Sequence, residues 1–159
     1  MAKHRKKKYV LSFDDLPSEM EYSFVGIKTS MPSYQVAYEL NRLFVCDFHL
    51  YEKTYQVERG NMKLEFSLFH TSEDEQNNRI RLLHNESLVE MNTPGSLFST
   101  EEAFYLFPEI KTVNYLLFTP QYSKYTYDFL KENYKSVHLL KWIDIDLNQI
   151  KSPFPIFRL

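Results

Sequence analysis

The 159-residue chain has one cysteine, three glycines and no run of eighteen apolar residues. Each shortage removes a class of protein. A lone thiol, Cys46, permits no internal disulfide and cannot build a thiolate metal cluster, which suits a reducing, cytoplasmic setting. Phosphate cradles need clustered glycines, because backbone amides must approach the ligand without a Cβ in the way. Gly26, Gly60 and Gly95 stand apart, so P-loop and dinucleotide-binding readings fail. Zinc spacings of the C-x-x-C or H-E-x-x-H kind are absent too, and no cofactor is expected. No membrane span is expected either. Tyr9-Val10-Leu11-Ser12-Phe13 is followed at once by Asp14 and Asp15, too short and too soon charged for a secretory leader.

What the chain does have is rings. Twelve Tyr and thirteen Phe sit in a composition that is otherwise ordinary for a globular protein, 43% hydrophobic and 25% charged. Aromatic side chains fit best on strands, so strands should outnumber helices. The length suits one domain, here residues 9–159, preceded by a basic arm at residues 1–8. That arm holds Lys3, Arg5, Lys6, Lys7 and Lys8, leaving fourteen basic against twenty-one acidic residues in the body, a charge of −7. An acidic body argues against a nucleic-acid-binding surface, and a short terminal basic run reads as a solvated arm.

Periodicity assigns the elements. Residues 22–28 read as a strand with both faces partly buried. Ser30 and Pro32 then open an amphipathic helix carrying Val36, Ala37, Leu40, Leu43 and Phe44 on one stripe. From Cys46 the period becomes two, with Cys46, Phe48 and Leu50 inward. Met62–Leu68 and Ile80–Leu82 alternate likewise and predict an antiparallel hairpin across the Thr71–Asn78 loop, with Lys63 and Glu65 opposite Arg79 and Arg81. Thr93-Pro94-Gly95-Ser96 signals a turn, and Ser99–Glu102 a loop or helix start. Val113–Phe118, apolar on both faces, suits a central strand ended by Pro120. A second helix is expected over Tyr122–Asn133, burying Tyr122, Tyr125 or Thr126, Phe129 and Leu130, then a last strand over Val137–Ile143. The predicted class is α+β, a mainly antiparallel sheet with two helices packed on one face.

Candidate chemistry is sparse. Asp47 and His49 share a strand face, but on the alternation above it is the solvated one. Cys46 and His49 have opposite parity and cannot act as nucleophile and base; Cys46 reads as a small core residue. His70 and His84 fall near the open ends of the predicted hairpin as potential cross-strand neighbours, yet two imidazoles without a third ligand make a poor metal site. Asp144 and Asp146 suit a helix cap better than a carboxylate pair.

The most distinctive stretch is Tyr105 to Phe118, where Pro108-Glu109 introduces the apolar run. With Pro108, Glu109, Val113 and Tyr115 at the right spacing, Phe107 in place of isoleucine and Asn114 in place of aspartate, it resembles the signature of the bacterial IPExxxVDY family. Phe24-Val25-Gly26-Ile27, Tyr38-Glu39-Leu40-Asn41 and Ile150-Lys151-Ser152 ahead of Ile156-Phe157 resemble family features in the same order. The resemblance implies a small cytoplasmic bacterial protein with no assigned activity. Asn114 cannot exchange a proton, so a mechanism needing two carboxylates fails here, whereas hydrogen bonding to backbone amides survives the change. Pro108 and Tyr115 are then expected to matter for stability.

The residues favour a non-catalytic interaction or structural module acting on a protein partner or as a homodimer. The alternative is an enzyme or metal binder built around Glu109 with His70 or His84. It requires a concave pocket containing Glu109 with a His or Asp within hydrogen-bond reach.

Overall fold

The computed structural model describes residues 22–50, 54–60, 62–72, 79–91, 99–120, 124–134, 140–146 and 150–151. The basic arm, residues 9–13, the turn at 93–96, Tyr122, the start of the last predicted strand and the segment after Lys151 lie outside the described residues.

In chain order the elements are β1 (Tyr22–Lys28), α1 (Ser33–Phe44), β2 (His49–Leu50), β3 (Tyr55–Arg59), β4 (Met62–Phe66), β5 (Leu68–His70), β6 (Arg81–His84), β7 (Glu86–Met91), β8 (Thr100–Tyr105), β9 (Tyr115–Pro120), α2 (Tyr127–Asn133) and β10 (Lys141–Asp144). Six strands form one sheet in the order β10-β1-β9-β6-β5-β2, and β3-β4 and β7-β8 form separate hairpins. Among the described residues every pairing is antiparallel. The fold is therefore α+β, a mainly antiparallel sheet with two helices.

β9 sits inside the sheet because it is apolar on both faces, with Tyr115 to Thr119 all buried. Side chains alternate across it: Tyr115 and Leu117 join a core with Val25, Ile27, Leu82 and Phe69, while Leu116 and Phe118 join a second core with Leu68, Leu83 and Phe66. The first core contains the buried residues of α1, Val36, Ala37, Leu40 and Phe44, together with Leu130 of α2. The second is completed by Tyr55 and Leu64 of the β3-β4 hairpin and by Leu106, Phe107, Ile110, Val113, Ile145 and Ile150. Gly26 lets that second cover come close. A Cβ there would stand 2.8 Å from Ile145 Cδ1 and 3.1 Å from both Val113 methyl carbons.

α1 and α2 are joined at their ends by rings. The last carbonyls of a helix lack intrahelical donors, and here the Tyr134 hydroxyl donates to the Leu43 carbonyl and that of Tyr125 to Phe44. The Tyr125 ring also stacks on Phe44 at 4.4 Å. α2 begins at Tyr127 rather than Tyr122 because the Thr126 hydroxyl caps it, accepting from the Phe129 N–H.

Four sequence expectations need correction. The run from Met62 to Leu68 is not one strand: it breaks at Ser67, so that Met62–Phe66 pairs with β3 and only Leu68–His70 pairs with β6. Tyr55–Arg59 supplies the missing partner, and the chain reverses through Gly60 at φ +62°. Consequently Lys63 faces Glu58 and Glu65 faces Gln56, not Arg79 and Arg81. Ser99–Glu102 is neither loop nor helix start, since Thr100–Tyr105 pairs with Glu86–Met91, and Val89 and Phe104 pack against the second core. The strand from Cys46 shrinks to His49–Leu50, with Leu50 exposed at the sheet edge.

Candidate functional site

The motif segment forms a 3-10 turn, Pro108–Ile110, followed by an irregular stretch into β9. Pro108 suits the start of such a turn, its fixed φ matching and its missing N–H costing nothing there. Within the segment the Ile110 N–H donates to the Phe107 carbonyl and the Val113 N–H to the Ile110 carbonyl. Asn85, fully buried between β6 and β7, adds bonds from outside it. Its Nδ2 lies 3.0 Å from the Val113 carbonyl, 3.3 Å from Ile110 and 3.5 Å from Phe107, and its Oδ1 accepts from the Phe107 N–H at 2.9 Å. Its backbone joins the same region, donating to Asn114 O at 2.8 Å and accepting from Leu106 N–H at 2.9 Å. One asparagine thus ties both ends of the turn to the sheet.

Asn114 is a structural hydrogen-bonding residue. Its Oδ1 accepts from the Thr29 N–H at 3.0 Å and its own N–H donates to the Ile27 carbonyl at 3.0 Å, fixing the loop between β1 and α1 against the start of β9. An aspartate would accept the same Thr29 bond. Glu109 is exposed on the turn, and its Oε1 accepts from the Lys151 N–H at 3.1 Å, holding the chain beside buried Ile150. Tyr115 is buried, its hydroxyl donating to the Met31 carbonyl at 2.7 Å. Burial, with a smaller push from the Glu86 carboxylate, raises its hydroxyl to about 12.

His84 stacks on the Tyr115 ring, with centroids 4.6 Å apart, and burial pushes its imidazole below the ordinary histidine value. His70 does not meet it. Along β6 and β5, Leu82 and Phe69 belong to the first core whereas Leu83 and Leu68 belong to the second. Alternation therefore puts His84 on the first face and His70 on the second. Both histidines are in phase with buried residues, but a sheet covered on both sides gives that phase no common meaning. The cross-strand neighbours of His70 are His49 on β2 and Arg81 on β6. A cleft of about 310 Å³ is lined by Ser23, Phe24, Thr126, Tyr127, Asp128, Asp144 and Ile145, and Glu109, His70 and His84 are not among its lining residues.

Cys46 is half-buried, its Sγ near the Phe44 carbonyl, and burial raises its thiol. Asp47 is exposed and accepts from the Ser72 hydroxyl and N–H, bonds that hold its carboxyl below the usual range. Among the described residues, no three or more His, Cys, Asp or Glu side chains gather to hold a metal ion, and no helix is long and apolar enough to cross a membrane.

The exposed outer face of α1 is the surface sequence periodicity left unexamined. Tyr34 and Tyr38 are each 65% exposed and Val45 is 93% exposed. Four residues apart, Tyr34 and Tyr38 lie within about 40° of one another around the axis of α1, and Val45 follows the last residue of the helix. Val45 closes the helix at φ +53°, a left-handed conformation that a β-branched residue rarely takes.

Asn85 escaped the sequence reading because nothing distinguishes it locally from a polar residue ending an apolar strand. Its one signal is position, directly after Leu82-Leu83-His84, where a chain leaving a buried strand needs a polar partner. No protein-family model, curated protein or solved structure matches the chain.

Proposed function

We propose that the protein is a non-catalytic interaction module, related to the IPExxxVDY family, that works in the cytoplasm through the outer face of α1 on a protein partner or a second copy of the chain. The observation that carries this reading is the row Tyr34, Tyr38 and Val45, large apolar groups held outward on a helix whose other side is fully engaged. Tyrosines of this kind anchor interfaces, since each offers a large rigid area with a polar tip. The reading takes both helices as the cover of one sheet face, supported by the shared core of their buried residues, so that α1 turns its opposite side to a partner. It is also supported by polar side chains in and against the motif, which bond backbone: Asn85 to Phe107 and Val113, Asn114 to Thr29, Glu109 to Lys151.

The test compares the wild type with Tyr34→Ser/Tyr38→Ser/Val45→Ser by sedimentation velocity and by native capture with mass spectrometry. The expected result is a dimer or a specific partner lost in the variant, with the melting temperature kept. Identical sedimentation and an identical set of captured proteins would refute the reading.

A further inference from the structure

We propose that the outer face of the β7-β8 hairpin is the docking surface for the chain's own basic arm, residues 3–8. The stretch from Glu86 to Tyr105 holds four glutamates, Glu86, Glu90, Glu101 and Glu102, and no Lys, Arg or His. The arm is its complement, with Lys3, Arg5, Lys6, Lys7 and Lys8 and no acidic residue. Composition alone leaves that arm in solvent, because nothing in its own segment can pair with it. The register of the hairpin supplies a partner. Val89 and Phe104 pack against the second core, and Ser87 is buried with its hydroxyl accepting from the Glu65 N–H. Alternation therefore turns Glu86, Leu88 and Glu90 of β7, with Glu101, Ala103 and Tyr105 of β8, to the outer side.

On that side Leu88, 60% exposed, stands opposite Ala103, and Glu90 stands opposite Glu101 with both exposed. Like charges directly opposite destabilise a strand pair. Among the described residues none of the four glutamates makes an ion pair, and Arg59, which donates to the Tyr105 carbonyl at 3.0 Å, bonds to none of them. The face thus sets an exposed apolar row beside an uncompensated acidic one. Lys and Arg suit both, laying alkyl stems over Leu88 and Ala103 while their heads reach the carboxylates. Thirteen residues separate Lys8 from Tyr22, where β1 starts. At up to about 3.3–3.6 Å each they extend about 45 Å, against a radius of gyration of about 15 Å for a domain of this length. The arm can therefore reach the hairpin, and tethering makes the encounter intramolecular, as a contact between exposed charges requires to persist. The hairpin face shares no residue with the α1 face, so either reading can fail alone.

The test places a nitroxide on the arm of the full chain, through Ala2→Cys with Cys46→Ser, and reads backbone amides by ¹H–¹⁵N NMR. The amides of residues 86–91 and 100–105 should lose about half of their intensity or more in about 10 mM NaCl, where the Debye length is about 30 Å. They should recover it in about 1 M NaCl, where that length is about 3 Å. Glu90→Lys/Glu101→Lys, on the outer face only, should also abolish the loss, and adding Lys6→Glu/Lys7→Glu/Lys8→Glu to that variant should bring it back with the charges exchanged. Tenfold dilution should change nothing. The unlabelled wild type gives an independent check, since the same amides should shift when Lys6→Glu/Lys7→Glu/Lys8→Glu is introduced alone. Hairpin signals no weaker than the rest of the sheet, a loss that survives Glu90→Lys/Glu101→Lys, or one that disappears on dilution would overturn the proposal.

Discussion

The core that contains the buried residues of α1 and α2 is closed by elements that satisfy their own backbone, whereas the core containing Phe107, Ile110 and Val113 is closed in part by a turn that does not. A helix buries its stripe with its main-chain bonds already made, so apolar periodicity is sufficient. Irregular chain carries buried N–H and C=O groups that need partners from elsewhere. Asn85 provides them, and Gly26 lets Val113 and Ile145 lie directly on β1. Covering a sheet with irregular chain is thus possible, but it concentrates stability in a few polar and small residues where a helix spreads it over many apolar ones.

The sharpest way to break this comparison is Asn85→Ala. It removes the side-chain partner of the Phe107 N–H and of the Val113 carbonyl in a dry core, while the Phe107 and Ile110 carbonyls keep their backbone donors. At about 1–3 kcal/mol for each unsatisfied group, chemical denaturation should show a loss of about 3 kcal/mol. Asn85→Asp should be as damaging, because a carboxylate cannot donate to those carbonyls. A loss below about 1 kcal/mol, within the range of ordinary surface changes, would mean the turn holds without its polar tie. Gly26→Ala attacks the same cover through packing and should cost about 1–3 kcal/mol in the same measurement, as overpacked cores do.

The first core is probed by pH. His84 is depressed in the folded protein, so below the ordinary value near 6.5 the unfolded chain takes up a proton that the folded one refuses. Stability is complete above that pH and falls as acid is added, and thermal melts of His84→Gln should show a shallower acid limb. Tyr115 and Tyr125 are both raised from 10.0 to about 12, so their contribution is complete below pH 10 and is lost as pH rises toward 12. Tyr115→Phe should flatten that alkaline limb.

Two substitutions should have small effects, and they sharpen the contrast. Val45→Gly relieves a left-handed valine that is 93% exposed and buries nothing, and should raise stability by about 0.5–1 kcal/mol by denaturant midpoint. Asn114→Asp keeps the acceptor for Thr29 N–H and should shift stability by less than about 0.5 kcal/mol. A large loss there would show that the amide group itself is needed.

Local pattern predicted β1, α1 and the central position of β9 because those segments meet the core with a single period or with both faces at once. It failed at Met62–Leu68, where an unbroken alternation conceals a change of partner at Ser67, and at Thr100–Tyr105, where two glutamates on an exposed hairpin resemble a helix start. The candidate residues divided the same way. Pro108 and Tyr115 were visible as structural positions, and Asn114 as an acceptor of backbone bonds. Asn85 was invisible, since its partners lie 22 to 28 residues away and have no sequence mark.

The sequence by itself determined the class of the protein: aromatic-rich strands, one amphipathic helix of clear period, too few glycines and cysteines for phosphate or thiolate chemistry. These follow from composition and from periods of two and 3.6, which are local properties of the chain. Only the tertiary structure decided which side chains meet. It set His70 against His49 and turned His84 to the opposite face. It also gave Asn85 the task of holding the motif turn. Register and layer assignment depend on which strands pair and on both faces of the sheet being covered, and neither is recorded within any one segment.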